Sequence, residues 1–279
     1  MKLLALSDLH LGFPDNRAAL ENLPAYPEDW LILAGDVCET QKTLKYAFES
    51  LTPKFRQLIW VPGNHELWTL PRHEETLRGE YKYRSLIDLC RQFKVITPED
   101  PYPNWTCEDK SYILAPLFLL YDYSFRPDEI PEGEAIEWAM SEGILCTDES
   151  LLHPDPYPSR QAWCESRCNY TFRRLEQAAS ASPESSFILI NHFPLRRDLA
   201  LTPRVPRFSI WCGTRKTEHW HTHFNVSAVV SGHLHIRRTA YRDGVRFEEV
   251  SLGYPHQWKS KNWSPTQFVK QIIPEESSD

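Results

Sequence analysis

Five times along this chain a short apolar run stops at a packet of Asp, Asn or His. Residues 2–7 lead into Asp8-Leu9-His10, residues 30–34 into Gly35-Asp36, and residues 55–61 into Pro62-Gly63-Asn64-His65-Glu66. Residues 187–190 lead into Asn191-His192, and residues 226–230 into Ser231-Gly232-His233-Leu234-His235. Between the first three runs, residues 16–23 and 43–51 carry apolar side chains at helical spacing. Strands alternating with helices at this interval require crossover connections and therefore a parallel sheet. The polar packets then stand where strands give way to loops, the edge at which open α/β sheets bind ligands.

Further signals fill in the rest of the chain. Residues 237–241 and 245–250 flank Arg242-Asp243-Gly244, whose Asp-Gly pair predicts a hairpin. Residues 98–109, rich in proline and aromatics, read as a loop, and residues 111–117 as a strand. The proline-dense stretch 151–158 reads as a loop leading into a long helix over 159–181. Residues 203–207 form another loop, carrying Arg204 and Arg207. With no internal repeat or linker, one layered α/β domain with inserted loops is expected over residues 1–279, loosely ordered beyond about residue 265.

Composition narrows the function classes. A net charge of −7 over 279 residues disfavours a dedicated nucleic-acid binder, whose footprint is basic. No run reaches the roughly 18 apolar residues of a membrane span. The opening Met-Lys-Leu-Leu-Ala-Leu meets Asp8 too soon for an export signal and reads as an internal strand. Seven scattered cysteines form an odd set typical of reduced thiols, which predicts a cytoplasmic protein. Cys164 and Cys168 lie four apart on the long helix, but with no matching pair elsewhere they read as buried thiols.

Carboxylate, imidazole and amide oxygen are the donors that divalent Mn²⁺ and Fe²⁺ accept. The ordered set Asp-x-His, Gly-Asp, Gly-Asn-His-Glu, Asn-His and Gly-His-x-His resembles the signature of the calcineurin-like metallophosphoesterases, spanning Asp8 to His235. The resemblance implies a four-layer αββα sandwich with two divalent transition metal ions, Mn²⁺ and/or Fe²⁺/Fe³⁺, at one edge. It implies one ion on Asp8, His10, Asp36 and His235, and the other on Asp36, Asn64, His192 and His233, with Asp36 bridging. It leaves His65 off the metals, near the phosphate, as general acid for the leaving alkoxide. The triad His219, His221 and His223 follows none of these packets and is assigned no ligation.

Substrate identity rests on weaker signals. Arg196, Arg197, Arg204, Arg207 and Arg215 cluster after His192 in an otherwise acidic chain, and guanidinium groups recognise phosphate and carboxylate. They are candidate substrate-binding residues, with a solvated loop as the bland alternative. Residues 61–68, 152–160 and 211–214 resemble a bacterial subfamily related to phosphopantetheinyl hydrolases. That resemblance implies a phosphodiesterase removing 4′-phosphopantetheine from holo acyl or peptidyl carrier protein. The alternatives are a phosphoesterase for a small molecule such as a cyclic nucleotide, and a metal-free interaction scaffold on the same fold.

Overall fold

The computed structural model describes residues 1–107 and 109–275. In chain order, β1 (Leu3–Leu6), α1 (Pro14–Glu21), β2 (Tyr26–Leu33), α2 (Gln41–Leu51) and β3 (Phe55–Trp60) form two successive crossovers. The three strands pair in parallel, with Leu3 beside Trp30 and Leu31 beside Leu58. Pro14 starts α1 at the first helical turn, where its missing N–H costs nothing. Thr40 caps α2 by accepting the Thr43 N–H at 3.2 Å. That helix buries Leu44, Ala47, Phe48 and Leu51, the stripe its sequence spacing predicted.

After β3 come the short α3 (Asn64–Leu67) and α4 (Gly79–Gln92). The second sheet follows: β4 (Asn104–Cys107), β5 (Lys110–Pro116), β6 (Ser186–Ile190), β7 (Val226–Ser231), β8 (Arg238–Arg242) and β9 (Val245–Glu249). Its spatial order is β4-β5-β6-β7-β9-β8, with β5, β6, β7 and β9 parallel and an antiparallel strand at each edge. Between β5 and β6 lie α5 (Ala135–Met140), α6 (Asp148–Leu151) and the 22-residue α7 (Arg160–Ala181). Asp243 and Gly244 both take positive φ, 52° and 80°, as a two-residue hairpin turn requires.

The layering follows from side-chain alternation along the strands. Leu3, Ala5, Ile32, Ile59, Leu114, Ile188, Ile190, Ala228 and Val230 form one buried cluster that joins the two sheets face to face. Their neighbours Leu4, Leu6, Leu31, Leu58, Ile113, Phe187 and Leu189 turn outward into the larger core with the helices. Phe172 of α7 packs on Phe224, which packs on Phe187 of β6, so α7 covers the second sheet. The result is the expected four-layer αββα sandwich. At one edge the sheets are stitched directly: Leu252 N donates to Ser7 O at 2.8 Å, and Gly253 N to Asp8 O at 3.0 Å. Among the described residues, no helix is long and apolar enough to cross a membrane.

Two expectations are corrected. Residues 98–109 are not all loop, because β4 pairs antiparallel with β5 and buries Trp105 against Trp30 of the first sheet. An edge strand needs only one side's hydrogen bonds, so proline-rich flanks do not prevent it. Nor is the chain loose beyond residue 265: β10 (Lys270–Ile273) pairs antiparallel with β1 and closes that edge. Residues 276–279 of that expected tail lie outside the described residues. Phe268, Ile272 and Ile273 are buried, and three such side chains contribute at least about 4 kcal/mol together. Truncation after residue 267 is therefore expected to lower Tm by roughly 10 °C and to promote aggregation through the bared β1 edge. Thermal unfolding with light scattering checks this, and an unchanged Tm would refute it.

Candidate metal centre

Seven of the predicted side chains meet at the joined edge of the two sheets. Asp8 and His10 follow β1, Asp36 follows β2, and Asn64 opens α3 after β3. His192 follows β6, and His233 and His235 follow β7. Asp8, His10, Asp36, His233 and His235 all hold left-handed backbone, with φ between 41° and 74°. Non-glycine residues adopt that region at a cost, and clusters of such outliers mark functional sites. The left-handed turns bend the chain sharply off each strand end, which aims the side chains inward. Two glycines allow the crowding. A Cβ on Gly63 would run into the Asp36 carboxylate, and one on Gly232 into Ser7 and Asp8.

The ligand-type atoms are close. His235 Nε2 lies 3.0 Å from Asp8 Oδ1 and 3.1 Å from His10 Nε2. His192 Nε2 lies 3.2 Å from Asn64 Oδ1 and 3.4 Å from Asp36 Oδ2. Three sets have donor atoms all within 4.8 Å of one another: Asp8, His10 and His235; Asp36, His192 and His233; and His10, Asp36 and His65. For His192, His235 and Asp8 the remaining ring nitrogen or carboxylate oxygen is held from behind. His192 Nδ1 is 2.9 Å from Ala34 O, and His235 Nδ1 is 2.9 Å from Gln257 Oε1. Ser251 Oγ and the Ser7 hydroxyl both donate to Asp8 Oδ2. Such outer contacts fix which atom faces a metal.

The electrostatics leave charge to be compensated. Burial opposes ionisation of Asp36, yet His192 and His65 outweigh it and hold the carboxyl well below its usual range. Burial likewise works against Asp8, where His235 prevails. Burial disfavours a charged His192, but Asp36 pushes its pKa up to about 10. His65 meets the same opposition from burial, and Asp36 and Glu39 raise it to about 9. Burial instead drives His10 down to about 4 and His233 down to about 3. His233 Nε2 and His10 Nδ1 are buried with no hydrogen-bond partner. Orphaned imidazole nitrogens beside two ionised carboxylates fit a transition-metal site better than a closed hydrogen-bonded core.

His65 lies beside these groups, in one set with His10 and Asp36. Its Nδ1 is 3.2 Å from Glu39 Oε1, its Nε2 is 3.8 Å from Asp36 Oδ2, and the Trp68 ring lies over it at 3.7 Å. The centre opens into a cleft of about 350 Å³ walled by Trp68, Leu145, Val205, Phe208 and Tyr254.

None of the five candidate arginines lines that cleft. Arg196 pairs with Asp198 at 2.8 Å, and Arg197 donates to Phe125 O at 2.9 Å. Arg207 pairs with Glu142 at 3.1 Å, and Arg215 donates to Ser124 O at 2.7 Å and Arg126 O at 3.0 Å. These four tie down the inserted segment around residues 124–142 and the loop after His192. Of the five, Arg204 is the exposed one and makes no such pairing among the described residues; it lies between Thr202 and Val205 of the cleft wall. His221 is buried against Asp243 at 2.8 Å while His219 and His223 are exposed on the same short helix, so the triad forms no ligand set. Cys164 and Cys168 are buried with sulfurs 4.0 Å apart and join no ligand set among the described residues.

Several residues of the centre had no role in the sequence reading. Glu66 accepts from the backbone N–H groups of Asp36 at 3.0 Å, Val37 at 2.5 Å, Cys38 at 3.2 Å and Gly63 at 2.8 Å. An acid at the third position of a helix is a capping signal, so its contact with Gly63 was findable. Its grip on the Asp36 loop was not. Asp148 opens the short helix α6, Gln257 lies in the short helix Pro255–Trp258, and Ser251 follows β9, each far along the chain from the side chain it holds.

Residues 1–237 match the family described as calcineurin-like phosphoesterase. The chain is 45% identical over 275 residues to the acyl-carrier-protein phosphodiesterase PptH of Mycobacterium tuberculosis, covering 98% of this chain and 83% of that protein. It is 24% identical to an uncharacterised protein of Acanthamoeba polyphaga mimivirus, covering 95% and 94%. The crystal structure of phosphopantetheinyl hydrolase (PptH) from Mycobacterium tuberculosis superposes with a TM-score of 0.93 at 43% identity, covering 98% of this chain and 96% of that one.

Glu66→Ala would leave four backbone N–H groups without their acceptor. A loss of about 3 kcal/mol or more is expected in urea unfolding, and a loss under about 1 kcal/mol would contradict the bracing role.

Proposed function

The chain belongs to the calcineurin-like phosphoesterase family, and from that premise we propose that it hydrolyses the phosphodiester joining 4′-phosphopantetheine to an acyl or peptidyl carrier protein. As a family member it is a hydrolase of phosphoric esters. What carries the finer reading is 45% identity to a carrier-protein phosphodiesterase along 98% of this chain, with a matching solved structure. The cleft supports it in kind: a polar floor of three imidazoles and the Asp36 carboxylate under aromatic and aliphatic walls suits a phosphate with an uncharged arm.

In this proposal Asp8, His10, Asp36 and His235 hold one divalent ion, and Asp36, Asn64, His192 and His233 the other, with Mn²⁺ and iron as the candidate metals. Bound there, such ions supply Lewis acidity toward a phosphate and a lowered pKa for water. The protein groups do the rest. Trp68, Phe208 and Tyr254 wall the reacting phosphate off from bulk solvent. His65 donates its proton to the serine oxygen as the phosphorus–oxygen bond breaks. Water supplies the new oxygen on phosphorus, so the products are apo carrier protein and free phosphopantetheine. Glu39 orients the imidazole and steadies its charge. At the cleft lip the exposed Arg204 is placed to meet an acidic carrier surface.

Two experiments test this. Mn²⁺-loaded enzyme incubated with holo acyl carrier protein should convert it to the apo mass, while Asp36→Asn should not. No conversion, with bis-aryl phosphate still cleaved in the same tube, would discard the carrier and favour a small-molecule diester. His65→Ala should slow alkyl diesters roughly 10²–10⁴-fold and activated aryl esters far less, because a good leaving group needs no proton. Equal losses on both substrates would remove His65 from the acid role.

A further inference from the structure

Asp148 opens α6, 84 residues beyond Asn64 in sequence, and its side chain is fully buried. One oxygen does two jobs. Oδ1 accepts from Asn64 Nδ2 at 2.9 Å and from the Trp68 indole N–H at 2.6 Å. Oδ2 is buried with no hydrogen-bond partner. An amide has a donor end and an acceptor end, and only the oxygen can ligate a cation. With its NH₂ tied to Asp148, Asn64 can present only Oδ1 toward His192. Rotated by half a turn, it would present a nitrogen with no lone pair to give.

The second bond acts on Trp68, at the end of the helix that Asn64 opens. Trp68 lies on His65 at 3.7 Å with an angle of 30° between the rings, and the Asp148 contact pins its indole there. Asp148 itself is held firmly. The next residue, Glu149, accepts from Tyr123 at 2.8 Å and Trp211 at 2.7 Å and pairs with Arg160 at 2.8 Å. The residues just before it, Leu145, Cys146 and Thr147, line the cleft. The inserted wall, the Asn64 amide and the His65 imidazole thus share one anchor.

We propose that Asp148 is a positioning residue that sets the Asn64 amide oxygen toward the metal cluster and clamps Trp68 against His65. This rests on the reading of Asn64 as a ligand given above. The effect is one-sided. Asn64, His192 and Asp36 lie together, whereas Asp8, His10 and His235 make no contact with Asp148. Loss of Asp148 weakens the ion on the Asn64 side and spares the other.

The test is a Mn²⁺ titration by calorimetry, with metal counted per chain, on the wild type, Asp148→Leu and Asp148→Asn. Leucine keeps the volume and removes both acceptors; asparagine keeps an oxygen that can accept. The leucine variant should bind one Mn²⁺ normally and the second 10–100-fold more weakly, with kcat on bis-aryl phosphate recovering at high Mn²⁺, and the asparagine variant should restore the second affinity. Both ions binding at wild-type strength in the leucine variant would reduce Asp148 to a packing residue. Should that variant fail to fold, Asn64→Asp and the swapped pair Asn64→Asp with Asp148→Asn decide the matter. The swap should regain at least tenfold in second-site affinity over Asn64→Asp alone, and no gain would overturn the proposal. A wild-type chain that binds no Mn²⁺ at all would instead sink the metal reading on which it rests.

Discussion

The Asp36 carboxylate is buried where the ends of two sheets meet, and most of the local architecture answers to it. A buried carboxylate without compensation would cost several kcal/mol, so the chain surrounds it with donors. The His65 N–H donates to Oδ1 at 2.9 Å, and the imidazoles of His192 and His65 face Oδ2. Behind it, Glu66 gathers the amide groups of the same loop and of Gly63. Two acids thus hold one loop from opposite sides, one toward the cleft and one toward the core. The arrangement is rigid because neither can move without leaving buried polar groups unpaired.

The candidate ligands come from both sheets, which makes the centre a joint as well as a pocket. Asp8, from the first sheet, accepts the His233 N–H and the Ser251 hydroxyl of the second. Asn64, from the first, faces His192 of the second. Divalent cations bound at this joint would draw the sheets together and couple occupancy to the spacing of the inter-sheet core.

How much of this was legible in the sequence depended on whether a feature is local. Each strand and its terminal packet lie within about ten residues, so the parallel strands and the polar packets at their ends could be read directly, while the choice of seven side chains among them came with the family likeness. The packets also carried the family likeness, because their order follows the order of the strands. What escaped the reading is long-range. Asp148 reaches Asn64 across 84 residues, and nothing in Thr-Asp-Glu-Ser marks it. The arginines misled for the same reason. Their number after His192 was visible, but the carbonyls of Phe125, Ser124 and Arg126 that occupy two of them were not. β4 and β10 are edge strands of four residues each, too short to show a period, and they exist only because a partner strand awaits them.

The pairing of β10 with β1 joins residues near position 271 to residues near position 4. The first sheet is therefore a late product of synthesis. While the ribosome is still making the middle of the chain, β1, β2 and β3 can pair and their crossover helices can form. The outer edge of β1 nevertheless stays open until residues 270–273 emerge, and with it the loop that bears Asp8 and His10 lacks its neighbour Gly253. Contacts of such separation fold slowly and leave an exposed strand in the interim. The nascent protein thus carries three of its strand-end packets long before the last strand arrives to shield them, and that interval is when a chaperone has something to hold.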